Sequence, residues 1–571
     1  MKELRRSSKI LNKAFQTIYL LALNLNRLAR SPATLYHSTR STNKSVTTLL
    51  SVRSAILLLT ILGIFIKPIK PENFLQCMTT RHLSTVVYTR ESTLYFPLFQ
   101  KSQQNPRWLN TSSAFKPLYI VTPLQEVEIS ATVICSRENG LRVRVRSGGH
   151  DYEGLSYLSR TPFVLIDLVP LRDIEINMED KTAWVQSGAT LGELYYNIAR
   201  KSNTYGYPAG MCPTVGVGGH ISGGGIGALT RKYGLAADYV VNARLVDVNG
   251  RVLDRNSMGE EVFWAIRGGG GASFGVITAW KIRLVPVPRT ITVLTVHKSL
   301  EQGANKLIDK WQRIAHKLPE DLFIRIIVQI KGGGGYGVKK TVQASFNSMF
   351  LGNIQSLMPL MKRSFPELEV KSNECKELSW IEAVLYFAGH PSGTPKEALL
   401  DRDHQLYKKY FKGKSDFVNQ PIPKTALQQV WDKYLQVNEA YMVMEPLGGI
   451  MNRILETQIA FPHRRGNLYN IQYIVKWQVN EEEEAKRHIQ WVRMLHNFMS
   501  PYVSKSPRTA YFNYKDLDLG INGINETTSY LEARAWGTKY FKNNFERLAK
   551  AKSSIDPSDY FRDEQSIPPF S

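Results

Sequence analysis

The sequence predicts an α+β or α/β fold built as two layered domains, and three observations predict it. Residues 114–290 alternate short apolar strands with helix-like stretches joined by glycine-rich turns. Pro286-Val287-Pro288 then punctuates the chain as a boundary does. Residues 290–505 change to amphipathic helices between strand-like runs, the pattern of a sheet covered by helices. With 571 residues, 43% of them hydrophobic, the chain has material for more than one core. The expected organisation is a leader over 1–71, a first domain over 72–289, a second over 290–505 and a C-terminal segment over 506–571.

In the leader, Arg53 precedes the apolar run SAILLLTILGIFI at 54–66, which has the length of a signal-peptide core and is short for a bilayer span. Secretion to the apoplast or cell wall is the expectation. The run lacks a small-residue cleavage site before Lys67-Pro68, and the stretch before it, with Arg5, Arg6, Arg27 and Arg30, has the composition of an organellar transit peptide. A membrane anchor and a vacuolar or organellar address are therefore the alternatives. Sequons at Asn110-Thr111-Ser112 and Asn525-Glu526-Thr527 fit secretion as glycosylation acceptors.

The first domain reads as the strand PLYIVTP, the helix QEVEISATVICSREN, the strands LRVRVRS, FVLIDL and TAWVQSG, and the helix LGELYYNIARKS. The second reads as strands ITVLTVHKS, DLFIRIIVQI and NLYNIQYIVKWQV with helices GANKLIDKWQRIAHKL and EEEEAKRHIQWVRMLHNFM. Alternation in the last strand puts Asn470 and Gln472 on one face and Tyr469, Ile471 and Tyr473 on the other. The tail opens with a strand-like AYFNYKDLDLG and ends in a helix around Lys539–Lys550.

The net charge of +24 is uneven. Residues 1–66 hold ten Lys and Arg against the single acid Glu3, which leaves about +15 on the body. A basic body attracts polyanions. No basic helix interleaved with aromatics and no zinc-finger spacing accompanies it, so the reading is no nucleic acid, with a pectin-like wall polymer as the alternative partner. The pattern GxGxxG at Gly332, Gly334 and Gly337 is followed by the strand-like VKKTVQASF instead of a helix, so it reads as a hairpin turn and not a dinucleotide site. The four cysteines Cys77, Cys135, Cys212 and Cys375 allow three full pairings, and the spacing does not choose among them.

Two glycine-dense loops carry the chemistry. Ser147-Gly148-Gly149-His150-Asp151-Tyr152 and Gly210-Met211-Cys212-Pro213-Thr214-Val215-Gly216-Val217-Gly218-Gly219 each present a nucleophilic side chain where glycine lets backbone press against a ligand. Backbone N–H groups of such arrays also hold a diphosphate without a Rossmann unit. Taken singly, His150 reads as a loop histidine and Cys212 as a disulfide partner or a thiol. Together they read as two attachment points for one large flat cofactor.

The motifs RVRSGGHDYEGLSY, GYPAGMCPTVGVGGHISGGGIGALTRKYGLAADYVVNARLVDVNGRVLDR, MGEEVFWAIRGGGGASFGVITAWKIRLVPVP and AYFNYKDLDLG, in this order, resemble the plant berberine bridge enzyme-like FAD oxidases. The resemblance spans about residues 72–570. It implies a vanillyl-alcohol-oxidase (PCMH) type fold: an FAD-binding domain of two α/β parts, a substrate domain with a helix-covered antiparallel sheet, and a C-terminal return to the FAD domain. It further implies bicovalent FAD, with His150 on the 8α-methyl carbon and Cys212 on C6, cradled by Ser147, Gly148, Gly149, Gly216, Gly218 and Gly219. Cys77–Cys135 is then the expected disulfide and Cys375 a buried thiol.

The same resemblance assigns the reaction. Hydride leaves a hydroxyl- or amine-bearing carbon for flavin N5 while Tyr514 takes the proton, supported by Tyr152, Asn470 and Gln472. A tyrosine has an ordinary pKa of ~10, so its phenolate needs such support. Lys515 is not expected to serve, since strand neighbours point to opposite faces. Val215 goes with oxygen-reactive members, which implies an oxidase that uses O2 and releases hydrogen peroxide. Ile226 stands where several relatives that oxidise aromatic allylic alcohols have Tyr, and it implies a more apolar pocket. The implied substrate is a small molecule: an aromatic alcohol, an alkaloid or an oligosaccharide. A monomer is expected. The alternatives are a dehydrogenase with another acceptor and a wall-binding flavoprotein without turnover.

Overall fold

The computed structural model describes residues 73–109, 112, 115–332, 339–403, 408–479, 481–523 and 528–570. The apolar run at 54–66, the sequons at Asn110 and Asn525, and Gly334 and Gly337 lie outside the described residues. Helices and mostly antiparallel sheets give an α+β fold, as expected.

A four-stranded sheet runs in the order Val87–Thr89, Tyr119–Val121, Phe163–Asp167, Arg142–Arg146, the last three parallel. Phe163–Asp167 is buried along its whole length: Phe163 to Ile166 form an apolar run and Asp167 is paired with Arg146. Helix Glu126–Glu138 is joined to helix Phe74–Thr80 by a disulfide between Cys77 and Cys135, and both cysteines sit in one core with Phe74, Met78, Val121 and Val164. Cys212 and Cys375 are free thiols.

A five-stranded antiparallel sheet follows, in the order Ile174–Asn177, Thr182–Gln186, Val276–Arg283, Val240–Val246, Val252–Leu253. Helix Leu191–Lys201 begins beside it on a capping box in which Thr190 and Glu193 satisfy each other's backbone N–H groups.

Strand Ile291–Ser299 opens a seven-stranded antiparallel sheet, ordered Lys376–Leu378, Ile291–Ser299, Thr341–Phe350, Leu322–Lys331, Ala440–Pro446, Tyr469–Trp477, Tyr410–Val418. Leu322–Lys331 and Thr341–Phe350 pair antiparallel, so the glycine segment between them closes a hairpin. One face of this sheet is buried and mostly apolar. Helix Ala304–Ile314 lays Ala304, Leu307, Ile308 and Trp311 on it, a helical stripe at i, i+3, i+4 and i+7. Helices Lys424–Tyr434 and Glu482–Met499 cover the rest of that core. Strand alternation then turns the intervening residues to the opposite, open face.

The tail departs from its expectation. Residues 511–516 form a turn, and only Leu517–Leu519 is regular, as a 3-10 helix. No ladder forms because the backbone groups are taken elsewhere: Tyr511 N–H donates to Ser415 Oγ, Asp516 N–H to Tyr540 Oη, and Asp516 O accepts from Gln565 Nε2. The expected single helix is two, Tyr530–Phe541 and Asn544–Ile555, broken at Lys542, whose φ is +47°. Their Phe541, Phe545 and Leu548 share a core with Phe263 and Ala265 of helix Glu260–Ile266.

Candidate active site

A cavity of about 640 Å³ lies between the glycine loops and the open face of the seven-stranded sheet. The two loops touch each other. A Cβ on Gly148 would fall 2.2 Å from Gly216 N, and one on Gly216 would fall 2.1 Å from Ser147 Oγ. Any side chain at either position would push the loops apart. Gly219 differs: a Cβ there would meet nothing within 4 Å and would project into the cavity instead. Ser147 Oγ donates to Ser187 O at 2.5 Å, and Leu191 and Gly192 at the start of their helix donate backbone N–H groups to Val215 O and Pro213 O. The Cys212 loop is thereby pinned to the first turn of helix Leu191–Lys201.

His150 and Cys212 meet at one hydroxyl. Thr214 Oγ1 lies 3.0 Å from His150 Nε2 and 3.7 Å from Cys212 Sγ, and all three side chains line the cavity. Burial lowers the His150 pKa to about 4 and raises that of the Cys212 thiol. His220 Nε2 accepts the Gly210 N–H at 3.0 Å, holding the start of the same loop, and burial lowers its pKa to about 4 as well.

The opposite wall comes from alternate residues of the sheet. Phe323 and Arg325, then Tyr441, Val443 and Glu445, then Gln472, Ile474 and Lys476 face the cavity, while Ile324, Met442, Met444, Ile471 and Tyr473 face the buried core. Gln472 Nε2 donates to Tyr152 Oη. The Tyr152 ring stacks on Tyr514 with centroids 5.6 Å apart and planes 10° from parallel, and its carbonyl accepts from Asn105 Nδ2 and Trp108 Nε1. Tyr511 stands edge-on to Tyr514, with centroids 4.9 Å apart. Burial, with the Glu445 carboxylate second, raises the Tyr514 phenol well above its usual range, and the Arg325 guanidinium opposes this. Arg325 Nη1 and Glu445 Oε1 are 3.9 Å apart.

Tyr514, Tyr152, Gln472, His150, Cys212, Val215 and the six cradle residues therefore gather around one cavity. Asn470 does not join them. It lies on the Gln472 face but one step beyond the cavity, and its amide is spent on Asp416 O at 3.1 Å. Lys515 does reach the cavity wall, because the turn at 511–516 does not obey strand alternation. The Ile226 side chain carries no donor, yet its backbone N–H donates to Tyr511 Oη at 3.2 Å, beside the Gly225 N–H at 3.0 Å. Thr214, Tyr511, Arg325 and Glu445 were not singled out by sequence reasoning. Tyr511 was open to it as the first Tyr of Tyr-x-Asn-Tyr, and Thr214 as the hydroxyl two residues after Cys212.

Comparison with known proteins identifies the family. The FAD binding domain profile matches residues 117–256, and the berberine and berberine-like profile matches residues 510–568. Berberine bridge enzyme-like 22 of Arabidopsis thaliana is 50% identical over 508 residues, 87% of this chain and 95% of that protein. The chain belongs to the berberine bridge enzyme-like family.

It is an FAD-dependent oxidoreductase of that family. Tetrahydroberberine oxidase of Berberis wilsoniae is 50% identical over 509 residues, 88% of this chain and 94% of that one. The crystal structure of Phl p 4, a grass pollen allergen with glucose dehydrogenase activity, superposes with a TM-score of 0.82 at 44% identity, covering 87% of this chain and all of that one. A variant of that allergen with Val in place of Ile is described as a glucose oxidase. The floor of backbone between Gly148 and Gly219 admits a flat ring system, and a nucleophilic nitrogen and sulfur border it, so the residues fit FAD.

Proposed function

We propose that this protein is a secreted oxidase carrying FAD bonded to both His150 and Cys212, acting on a hydroxyl- or amine-bearing small molecule. The observation that carries the reading is the shared Thr214 hydroxyl: His150 Nε2 and Cys212 Sγ border one site, with Tyr514 lining the same cavity. The chemistry FAD supplies when bound is acceptance of an electron pair with one hydrogen from the substrate carbon and their release to an acceptor.

The chain's own groups do the remainder. Gly148, Gly149, Gly216, Gly218 and Gly219 offer backbone to the cofactor, and Ser147 fixes the meeting of the loops. Tyr514 takes the proton of the substrate hydroxyl, while stacking on Tyr152 and the Arg325 charge hold it ready. Gln472 fixes the Tyr152 hydroxyl by donating to it. Phe323, Phe387, Phe411 and Ile474 give the cavity an apolar lining.

Val215 lines the cavity three residues beyond Cys212 and supports O2 as acceptor with hydrogen peroxide as product. The disulfide Cys77–Cys135 fits an oxidising compartment. Among the described residues no helix is long and apolar enough to cross a membrane. Glucose, a cinnamyl alcohol and tetrahydroberberine form the substrate panel. The test is to denature purified protein and map flavin-bearing peptides. Colour retained on peptides holding His150 and Cys212 is expected, and colourless polypeptide overturns double attachment. Peroxide released with a member of the panel is the second readout.

A further inference from the structure

Strand Tyr410–Val418 carries the sequence Lys412-Gly413-Lys414 at its centre. Lys412 is only 4% exposed, and its Nζ is bonded to Glu153 Oε1 and lies 2.8 Å from Asp516 Oδ1. Glu153 follows Tyr152 directly, and Asp516 lies two residues past Tyr514. Their carboxylates are 3% and 2% exposed. One ammonium thus joins the loop that carries Tyr152 to the turn that carries Tyr514, two segments far apart in the chain. Lys414 makes a narrower contact: its Nζ lies 2.5 Å from Asp516 Oδ2 and 2.8 Å from Asp518 Oδ2, and it touches nothing beside Tyr152.

The same strand meets the Tyr152 ring directly. Phe411 stands edge-on to it with centroids 5.1 Å apart, and a Cβ on Gly413 would lie 2.7 Å from the ring. Asn105 Nδ2 donates to both Tyr152 O and Phe411 O, which fixes the loop along the strand. The ring plane of Tyr152 is therefore set by the strand, and its separation from Tyr514 is set by what links their two backbones.

Stability alone does not account for a buried lysine between two buried carboxylates. Desolvating such ions is costly, and well-packed apolar side chains of similar volume often replace them without loss. What an apolar replacement lacks is direction. A lysine bonded to two carboxylates fixes the distance between the segments that supply them.

We propose that Lys412 is a positioning residue for proton removal: by bridging Glu153 and Asp516 it holds Tyr152 and Tyr514 in the stacked geometry in which Tyr514 receives the substrate proton. This rests on the reading of Tyr514 as the base. Lys412 touches no reacting atom and acts through the two tyrosines.

The test is stopped-flow reduction of the holoenzyme by glucose, cinnamyl alcohol or tetrahydroberberine, with crystal structures of the variants. Lys412→Met is expected to lower the limiting reduction rate by about 10²-fold, the cost of displacing a reacting group by an ångström, while substrate affinity moves less than about threefold. Lys412→Arg restores most of the rate. Lys414→Met lowers the melting temperature comparably but keeps the rate within about threefold. Combined with Tyr514→Phe, Lys412→Met adds nothing further, because both act on one event.

Equal slowing by Lys412→Met and Lys414→Met, or effects of Lys412→Met and Tyr514→Phe that multiply, overturns the proposal. A crystal structure of Lys412→Met with the Tyr152–Tyr514 stack unchanged overturns it without any substrate. Full reduction rate in Tyr514→Phe removes the base reading instead, and the stack in the Lys412→Met structure then decides the bridge separately. Should Lys412→Met not fold, Glu153→Gln, which weakens one arm and leaves Lys412 on Asp516, is held to the same kinetic and structural outcomes.

Discussion

Thr214 Oγ1 lies 3.0 Å from His150 Nε2, so a hydroxyl two residues from Cys212 orients the imidazole on the neighbouring loop. Removing it leaves both loops intact and frees the ring to turn. Thr214→Val is expected to slow flavin attachment at His150 by about fivefold, the worth of one hydrogen bond of about 1 kcal/mol. Intact-protein mass spectrometry during reconstitution with FAD measures it, and an unchanged rate would show that the hydroxyl is idle.

If Tyr514 is the base proposed above, burial and the charges beside it set the pH at which it works. Burial raises the Tyr514 phenol most, Glu445 adds to that rise and Arg325 opposes it. A base acts when deprotonated, so the reduction rate rises through this pKa. Glu445→Gln is expected to move that rise to lower pH, and Arg325→Met to move it to higher pH. Reduction rates across the alkaline range check this; shifts of the same sign in both variants would refute it.

Val215 lines the cavity three residues beyond Cys212, and on the proposed oxidase reading its small side chain leaves room for dioxygen. Val215→Leu is expected to cut peroxide release while reduction of an artificial dye continues at the parent rate. Parallel oxygen-electrode and dye assays separate the outcomes, and loss of both would mean the substitution damages the cradle.

Part of the acid sensitivity should trace to the Cys212 loop, with buried His150, His463 and His496 contributing in the same direction. His220 accepts the Gly210 N–H with an unprotonated Nε2, and its pKa falls from 6.5 to about 4 on burial. The unfolded chain binds the proton first, so this contribution is complete above the unfolded value and is lost as pH falls from about 6.5 towards 4. It amounts to at most about 3 kcal/mol. His220→Gln keeps an acceptor for Gly210 and loses the titration, so its melting temperature between pH 7 and 4.5 should fall less than the parent's.

The glycine loops were legible because close backbone approach demands glycine, and Gly148 against Gly216 shows why. Alternation correctly set Gln472 opposite Ile471 and Tyr473, but it carries no information on where along a strand a cavity ends. That is why Asn470, on the Gln472 face, falls outside. Arg325 and Glu445 were hidden for a related reason. They lie on separate strands that become neighbours of Tyr514 only when the whole sheet is laid over the loops. The tail misread as a strand has strand composition, and long-range bonds from Ser415, Tyr540 and Gln565 override it.

The contact of Gly148 with Gly216 has a thermodynamic side. A flavin bonded at both His150 and Cys212 makes a covalent bridge between the loops, enclosing roughly sixty residues of chain. In the unfolded ensemble such a cross-link removes loop-closure entropy as a disulfide does, about 4 kcal/mol for a ring of that size. Together with Cys77–Cys135 it would give the polypeptide two successive closed rings, one made of sulfur and one of cofactor. Unfolding of the loaded protein would then be opposed by its own prosthetic group even where no contact in the native state had changed.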